Sequence, residues 1–359
     1  MHECSIALLT KFVDMPTAVA EAEHQAPQCR IVYVALLDYA KNCHTDLNMS
    51  KAAIGPVSCL AKMPEVERVF FCPKEIRFEL YDAVEQLSAV GITSFYVTDV
   101  IRPYDFDPQF FTNHWERAER IFHMLADDAS KNVFASRLKT TVTGNNGYRI
   151  VSVYPEYQHP LVHAKPGHTV IDGGVGGAGK EGAGTTAAFA EAVGPTGHVY
   201  AFEPEPVNFN EAQSELAAYR NVVLSPHGLW SNEEEVQFVA AGRNNLGSHI
   251  LPEGQKPQNA RTFLLPMTTL DRVVANYNLN RLDLVKLDIE GAELDALRGG
   301  IRAIQLYRPD LMVSLYHKKT DILALPEFLA ELDLGYKLFI GHHMPLARGT
   351  VLYATARDS

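Results

Sequence analysis

Four carboxylates and an imidazole stand where apolar runs give way to turns. Asp172 follows Thr169-Val170-Ile171, Glu203 follows the run from His198 to Phe202, Asp288 and Glu290 lie in LVKLDIEG from Leu284, and His317 follows Leu311 to Leu315. A carboxylate accepts hydrogen bonds from a pair of vicinal hydroxyls, and either group can take the proton of a hydroxyl as its oxygen becomes a nucleophile. Imidazole titrates closest to neutral pH, so His317 is the expected general base. Asp288 is the rival base or the anchor of an acceptor, with Glu290 in the turn beside it. Glu290 and Glu293 have a plainer use as well, complementing the positive end of a helix that starts there for about 0.3 to 1 kcal/mol each. No ligand spacing indicates a metal; a divalent ion beside the carboxylates is left open.

Between Asp172 and Glu203 lies a glycine-rich turn with seven glycines from Gly173 to Gly184. Gly174, Gly176 and Gly179 satisfy the G-x-G-x-x-G spacing that brings backbone N–H groups to a pyrophosphate. Two features oppose a dinucleotide. Gly182 and Gly184 would each cost an early helical turn roughly 1 kcal/mol, and Asp172 puts a negative charge where the pyrophosphate would lie. A sulfonium with an amino-acid tail tolerates that charge, so S-adenosylmethionine fits better than NAD. The expected cofactor contacts are Asp172, Gly173, Gly174, Gly176, Glu203, Pro204, Gly228, Leu229 and Asp288. Leu229 and Trp230 are candidates to flank the base, and Trp230 is equally readable as a core residue.

These residues need a scaffold that gathers strand ends. The runs at 169–171, 198–202, 222–224, 284–288 and 311–315 alternate with helical patterns, which predicts an α/β fold with a mostly parallel sheet whose carboxyl ends share one crevice. Strands at 235–239 and 262–265 bracket a polar loop, Arg243 to His249, a candidate acceptor loop. Thr269 is a predicted N-cap, Pro326 to Leu332 a helix, and Tyr336 to Ile340 with Val351 to Ala354 a closing hairpin. Upstream, Arg30 to Leu36, Val69 to Phe71 and Ile92 to Thr98 read as strands and Glu75 to Val90 as a helix. Residues Asn113 to Leu138 carry an apolar stripe of Trp115, Ala118, Ile121, Phe122, Leu125, Phe134 and Leu138, with Asp127-Asp128 as a solvated break. The expected organisation is a small α/β domain over 1–108, a helical connector over 109–153 and a cofactor-binding domain over 154–359. RPYDFDP at Arg102 to Pro108 is the linker, and the N-terminal part is a candidate surface for homo-oligomers.

The chain has 359 residues, 47% of them hydrophobic, and a formal net charge of −11. That charge argues against nucleic acid as a partner. No apolar run approaches a membrane span of ~20 residues, and the acidic start MHECSIALLTKFVDMP does not make a secretory signal. All five cysteines precede residue 73 at irregular spacing, which predicts free thiols in the cytoplasm rather than disulfides or zinc.

From about Tyr154 to Thr355 the chain resembles the FkbM family of S-adenosylmethionine-dependent methyltransferases. The resemblance rests on VIDGG at Val170, VYAFEPEPVNF at Val199, LDLVKLDIEGAELDALRGG at Leu282, SLYHK at Ser314 and the terminal GTVLYAT. It implies a Rossmann-like class I sheet with an antiparallel last strand, and methyl transfer to a hydroxyl of a sugar, glycan or natural product. The family's short D-x-G-A-N-x-G turn is expanded here and lacks the Asn. The residues alone leave two alternatives, an NAD-linked oxidoreductase and a catalytically silent binding module.

Overall fold

The computed structural model describes residues 4–10, 29–36, 53–63, 66, 68–71, 86–87, 89–91, 96–97, 108–143, 148–179, 182–240, 249–250, 261–344 and 348–357. Most of the expected helix at 75–90, most of the strand at 92–98, the linker at 102–107, the turn at 144–147, the loop at 243–248, and Cys43 and Cys72 lie outside the described residues. The chain divides into two compact units, Met1–Trp115 with Ala135–Ile150, and Glu116–Phe134 with Val151–Ser359.

In the first unit β1 (Cys4–Thr10), β2 (Cys29–Leu36), β3 (Ala53–Pro56), β4 (Arg68–Phe71) and β5 (Tyr96–Val97) form a sheet in the order β3-β2-β1-β4-β5. Every pairing is parallel, the arrangement of a doubly wound sheet. Ala7, Val34 and Ala35 are fully buried, as a parallel sheet covered on both faces requires. The central strand β1 has no counterpart in the sequence reading, because SIALL is a short apolar run without alternation.

The predicted apolar stripe forms two helices parted at the expected break, α1 (Pro108–Met124) and α2 (Asp128–Thr143). Asp127 makes the break, its Oδ1 accepting the Ser130 amide at 2.7 Å. Trp115 departs from the predicted stripe and is 59% exposed. Non-helical backbone angles at His114 shift the phase of the helix there.

The second unit holds β6 (Thr169–Gly173), α3 (Ala183–Val193), β7 (His198–Phe202), α4 (Pro206–Leu216), β8 (Val222–Ser225), β9 (Gly228–Leu229), β10 (Glu235–Ala240), β11 (His249–Ile250), β12 (Arg261–Thr268), α5 (Leu270–Asn276), β13 (Leu284–Leu287), α6 (Glu293–Arg298), α7 (Ile301–Tyr307), β14 (Asp310–Ser314), α8 (Asp321–Glu331), β15 (Lys337–His342) and β16 (Thr350–Thr355). Seven of these strands form one sheet in the order β15-β16-β14-β13-β6-β7-β8. Strand β16 alone runs antiparallel to both its neighbours. This is the predicted Rossmann-like α/β sheet with its reversed strand. The strands β11-β10-β12-β9 form a second, smaller sheet.

Strands β6, β13, β14 and β16 are buried at every position, so they carry near-continuous apolar runs. Val170, Phe189, Val193, Val199, Met312 and Tyr353 belong to one cluster between sheet and helices. Thr269 caps α5 as expected, accepting the Arg272 amide at 3.0 Å. Helix α8 starts five residues before the expected Pro326, which sits inside it. No helix of the described residues is long and apolar enough to cross a membrane.

Candidate active site

Two groups of residues meet at the carboxyl ends of the central strands. The first is the glycine turn after β6. Gly174 has φ +80°, and a Cβ there would lie 1.8 Å from the carbonyl oxygen of Asp288, so only glycine fits both the angle and the approach. Its amide donates to the Phe202 carbonyl at 3.0 Å, tying the turn to β7. The Val175 amide shares that carbonyl at 3.4 Å, and three of the amides beyond it go to carboxylates. Gly176 donates to Glu203 Oε2 at 2.7 Å, Ala178 to Glu211 at 3.2 Å and Gly179 to Glu215 at 2.7 Å. A pyrophosphate placed on these amides would meet three glutamates, which tells against a dinucleotide.

Glu203 is buried, and its Oε1 also accepts the Glu205 amide at 3.0 Å. Burial pushes its carboxyl up to about 7 against the opposite pull of these two amides. Each oxygen keeps a second lone pair for a ribose hydroxyl. Pro204 and Gly228 pack at the same strand end, where a Cβ on Gly228 would meet Met267 and Pro204. Leu229 is buried under Gly173. Trp230 is half-buried and donates its indole N–H to Glu234 at 3.1 Å.

Asp172 has a different place from the expected one. It is 0% exposed, with Lys286 Nζ 3.0 Å from Oδ1 and the Thr186 hydroxyl donating to Oδ2 at 2.7 Å. Lys286 is its register partner on β13. The ammonium also donates to the carbonyls of Gly173 and Gly174 at 3.2 and 2.6 Å. Burial opposes the charge of Lys286, but Asp172 and Asp288 hold its pKa above the ordinary value. Asp172 thus braces the turn from beneath and does not face the crevice.

The second group lies at the ends of β13 and β14. Asp288 has a side chain 26% exposed and accepts from two phenols, Tyr157 at 2.9 Å on Oδ2 and Tyr316 at 2.8 Å on Oδ1. Burial works to raise its pKa, yet His317, Lys286 and the two phenols hold it below the usual carboxylate range. His317 is buried, its Nε2 3.4 Å from Asp288 Oδ1 and 3.7 Å from Glu290 Oε2. Its Nδ1 lies 2.7 Å from Glu293 Oε1, which also accepts the Ile289 and Gly291 amides at 2.9 and 3.4 Å. Glu293 therefore ties the turn bearing Asp288 and Glu290 to the imidazole. Burial alone would lower the pKa of His317, but Glu293, Glu290 and Asp288 raise it to about 9. The expectation of an imidazole titrating near neutrality is corrected: three carboxylates keep it protonated at pH 7. Behind it Asp321, buried and close to Glu293, is pushed up to about 7.

The structure thus brings together Asp288, Glu290 and His317, and beside them the glycine turn with Glu203. It adds Tyr157, Lys286, Tyr316 and Glu293. Lys286 had a signal, one cation in the otherwise apolar LVKL. Tyr157 had none, since it reaches Asp288 across 131 residues of chain.

Residues 176–338 match the methyltransferase FkbM domain. They are a domain of the FkbM methyltransferase family. Hexuronic acid methyltransferase AglP of Haloferax volcanii is 24% identical over 142 residues, 39% of this chain and 56% of the relative. The chain thus matches little more than half the length of that curated relative. The crystal structure of methyltransferase FkbM from Methylobacillus flagellatus KT superposes with a TM-score of 0.64 at 17% identity, covering 98% of this chain and 90% of that one. At this identity the likeness is one of fold, and it extends beyond the FkbM domain into the N-terminal unit, which the sequence motifs did not reach.

Proposed function

We propose that this chain transfers a methyl group from S-adenosylmethionine to a hydroxyl of a sugar, glycan or natural-product acceptor. One observation carries the reading: the turn after β6 packs directly on the backbone of Asp288, so a sulfonium held at the turn lies beside the cluster of Asp288, Glu290 and His317. Glu203, Pro204, Gly173, Gly174, Gly176, Gly228 and Leu229 shape the cofactor end, Glu203 accepting the ribose hydroxyls. Asp172 acts only through the turn it braces.

The acceptor oxygen attacks the methyl carbon in line, the C–S bond breaks with its electrons on sulfur, and the hydroxyl proton leaves as the C–O bond forms. His317 already carries a proton at neutral pH, so Asp288 is the group that takes this one. The relative named for hexuronic acid supports a uronic acid or related sugar as the acceptor, and the reading places the reaction in the cytoplasm.

Incubation of the full chain with methyl-labelled S-adenosylmethionine and uronic-acid glycans tests this. Label that survives mild base is an ether and supports O-methylation of a hydroxyl; label released by base is a carboxyl ester and removes that part. Absence of S-adenosylhomocysteine binding by calorimetry removes the cofactor.

A further inference from the structure

We propose that His317 Nε2, Asp288 and Glu290 form a divalent-cation site, with Glu293 holding the imidazole from behind. The distances from Nε2 are the first argument. Charge-assisted hydrogen bonds run about 2.7 to 2.9 Å, whereas Asp288 and Glu290 stand at 3.4 and 3.7 Å. Two metal bonds of about 2.1 Å meeting at a tetrahedral angle put their donor atoms roughly 3.4 Å apart. The Asp288 spacing on Nε2 is therefore that of two groups sharing an ion, and Glu290 stands slightly wider.

The second argument is the opposite nitrogen. A metal-bound histidine almost always donates its other ring N–H to a carboxylate, which fixes the tautomer and ring plane. Glu293 stands 2.7 Å from Nδ1, and its two backbone bonds fix the turn that carries Asp288 and Glu290. Asp288 and His317 each bring a donor atom within 4.8 Å of the other and of Glu293, and Glu290 is tied to the set only by its 3.7 Å approach to Nε2. The phenols of Tyr157 and Tyr316 orient Asp288 in turn. A nitrogen donor beside carboxylates suits an ion of the manganese-to-zinc series better than magnesium or calcium.

The site deepens the methyl-transfer reading and rests on it for its use. An acceptor hydroxyl bound to the ion becomes more acidic and loses its proton to water. Its oxygen then attacks the methyl carbon, the C–S electrons pass to sulfur, and Asp288, the proton acceptor of the ion-free site, serves as a ligand once the ion has displaced the Nε2 proton.

The test titrates Mn²⁺ into the chelator-treated full chain, read by electron paramagnetic resonance and calorimetry. One bound ion is expected, with affinity lowered roughly 10- to 100-fold in Glu293→Gln, the range for loss of an outer carboxylate, and lowered further in His317→Ala and Asp288→Asn. Circular dichroism confirms that each variant is folded, and Glu293→Gln, which keeps all three ligands, carries the test if the others unfold. No binding at millimolar Mn²⁺ or Zn²⁺, or binding unchanged by His317→Ala, overturns the proposal. S-adenosylhomocysteine is titrated into the same samples. Its binding without ion binding sinks the cation site and leaves methyl transfer standing, whereas ion binding without it sinks the cofactor.

Discussion

The two halves of the crevice are built from different materials. At the ends of β6 and β7 the surface is backbone, glycine amides turned toward glutamates, with positive φ at Gly174 and Gly176. At the ends of β13 and β14 it is side chain, a carboxylate between two phenols and an imidazole among three carboxylates. A backbone half depends on conformation and can lose one side chain with modest effect. In a half made of buried charges each group holds the next, and removing one leaves another uncompensated. Lys286 belongs to both halves, touching Asp172, the turn carbonyls and the ring of Tyr157.

The sharpest separation of the halves is Asp288→Asn, expected to lower methyl transfer roughly 10²- to 10⁴-fold, the range for loss of a general base, while S-adenosylhomocysteine affinity stays within about twofold. Parallel loss of both in steady-state kinetics and calorimetry merges the halves into one unit. Next is Lys286→Met, expected to cost roughly 3 to 5 kcal/mol of stability because Asp172 is left buried without its partner. Urea denaturation measures it, and a loss below about 1 kcal/mol, the scale of an exposed pair, would mean that Lys286 does not join the two halves.

On the backbone side Glu203→Ala should weaken S-adenosylhomocysteine by about 1.5 to 3 kcal/mol, one charged hydrogen-bonding group. Unchanged affinity in the folded variant takes Glu203 out of ribose binding. The smallest effect belongs to Asp283, at the opposite end of β13, which bonds Arg281, Arg357 and the Thr169 amide. Burial alone would raise its pKa, but these partners lower it to about 2. A depressed carboxyl stabilises the fold above its unfolded value near 4, and that contribution, about 2 kcal/mol, is lost as pH falls toward 2. Asp283→Asn should lower stability at pH 7 and flatten the acid limb without moving cofactor affinity. An unchanged acid limb in thermal melts places that sensitivity elsewhere.

The sheet was legible because its strands are buried on both faces and end at turn residues, so VIDGG and LVKLDIEG mark strand and site together. Strand β1 was missed for want of alternation, and the phase of α1 because the kink at His114 leaves no mark in composition. Within the site, residue types at strand ends gave Asp288, Glu290, His317 and Glu203. What they did not give is charge state. The protonation of His317 depends on Glu293 and Glu290 coming close in space, and the burial of Asp172 on register with Lys286. Both are properties of pairs, which single positions do not display.

The close approach at Gly174 bears on how this chain can change length. With the Asp288 carbonyl 1.8 Å from where a Cβ would stand, and the amides of Gly174 and Gly176 bonded to Phe202 and Glu203, the first part of the turn has no room for an inserted residue. Past Gly176 the amides of Ala178 and Gly179 rest on exposed glutamates of α4, while the Gly177 and Gly179 carbonyls accept the amides of Ala183 and of Gly182 and Gly184. A loop grafted from a shorter relative must therefore leave the stretch from Gly173 to Gly176 intact.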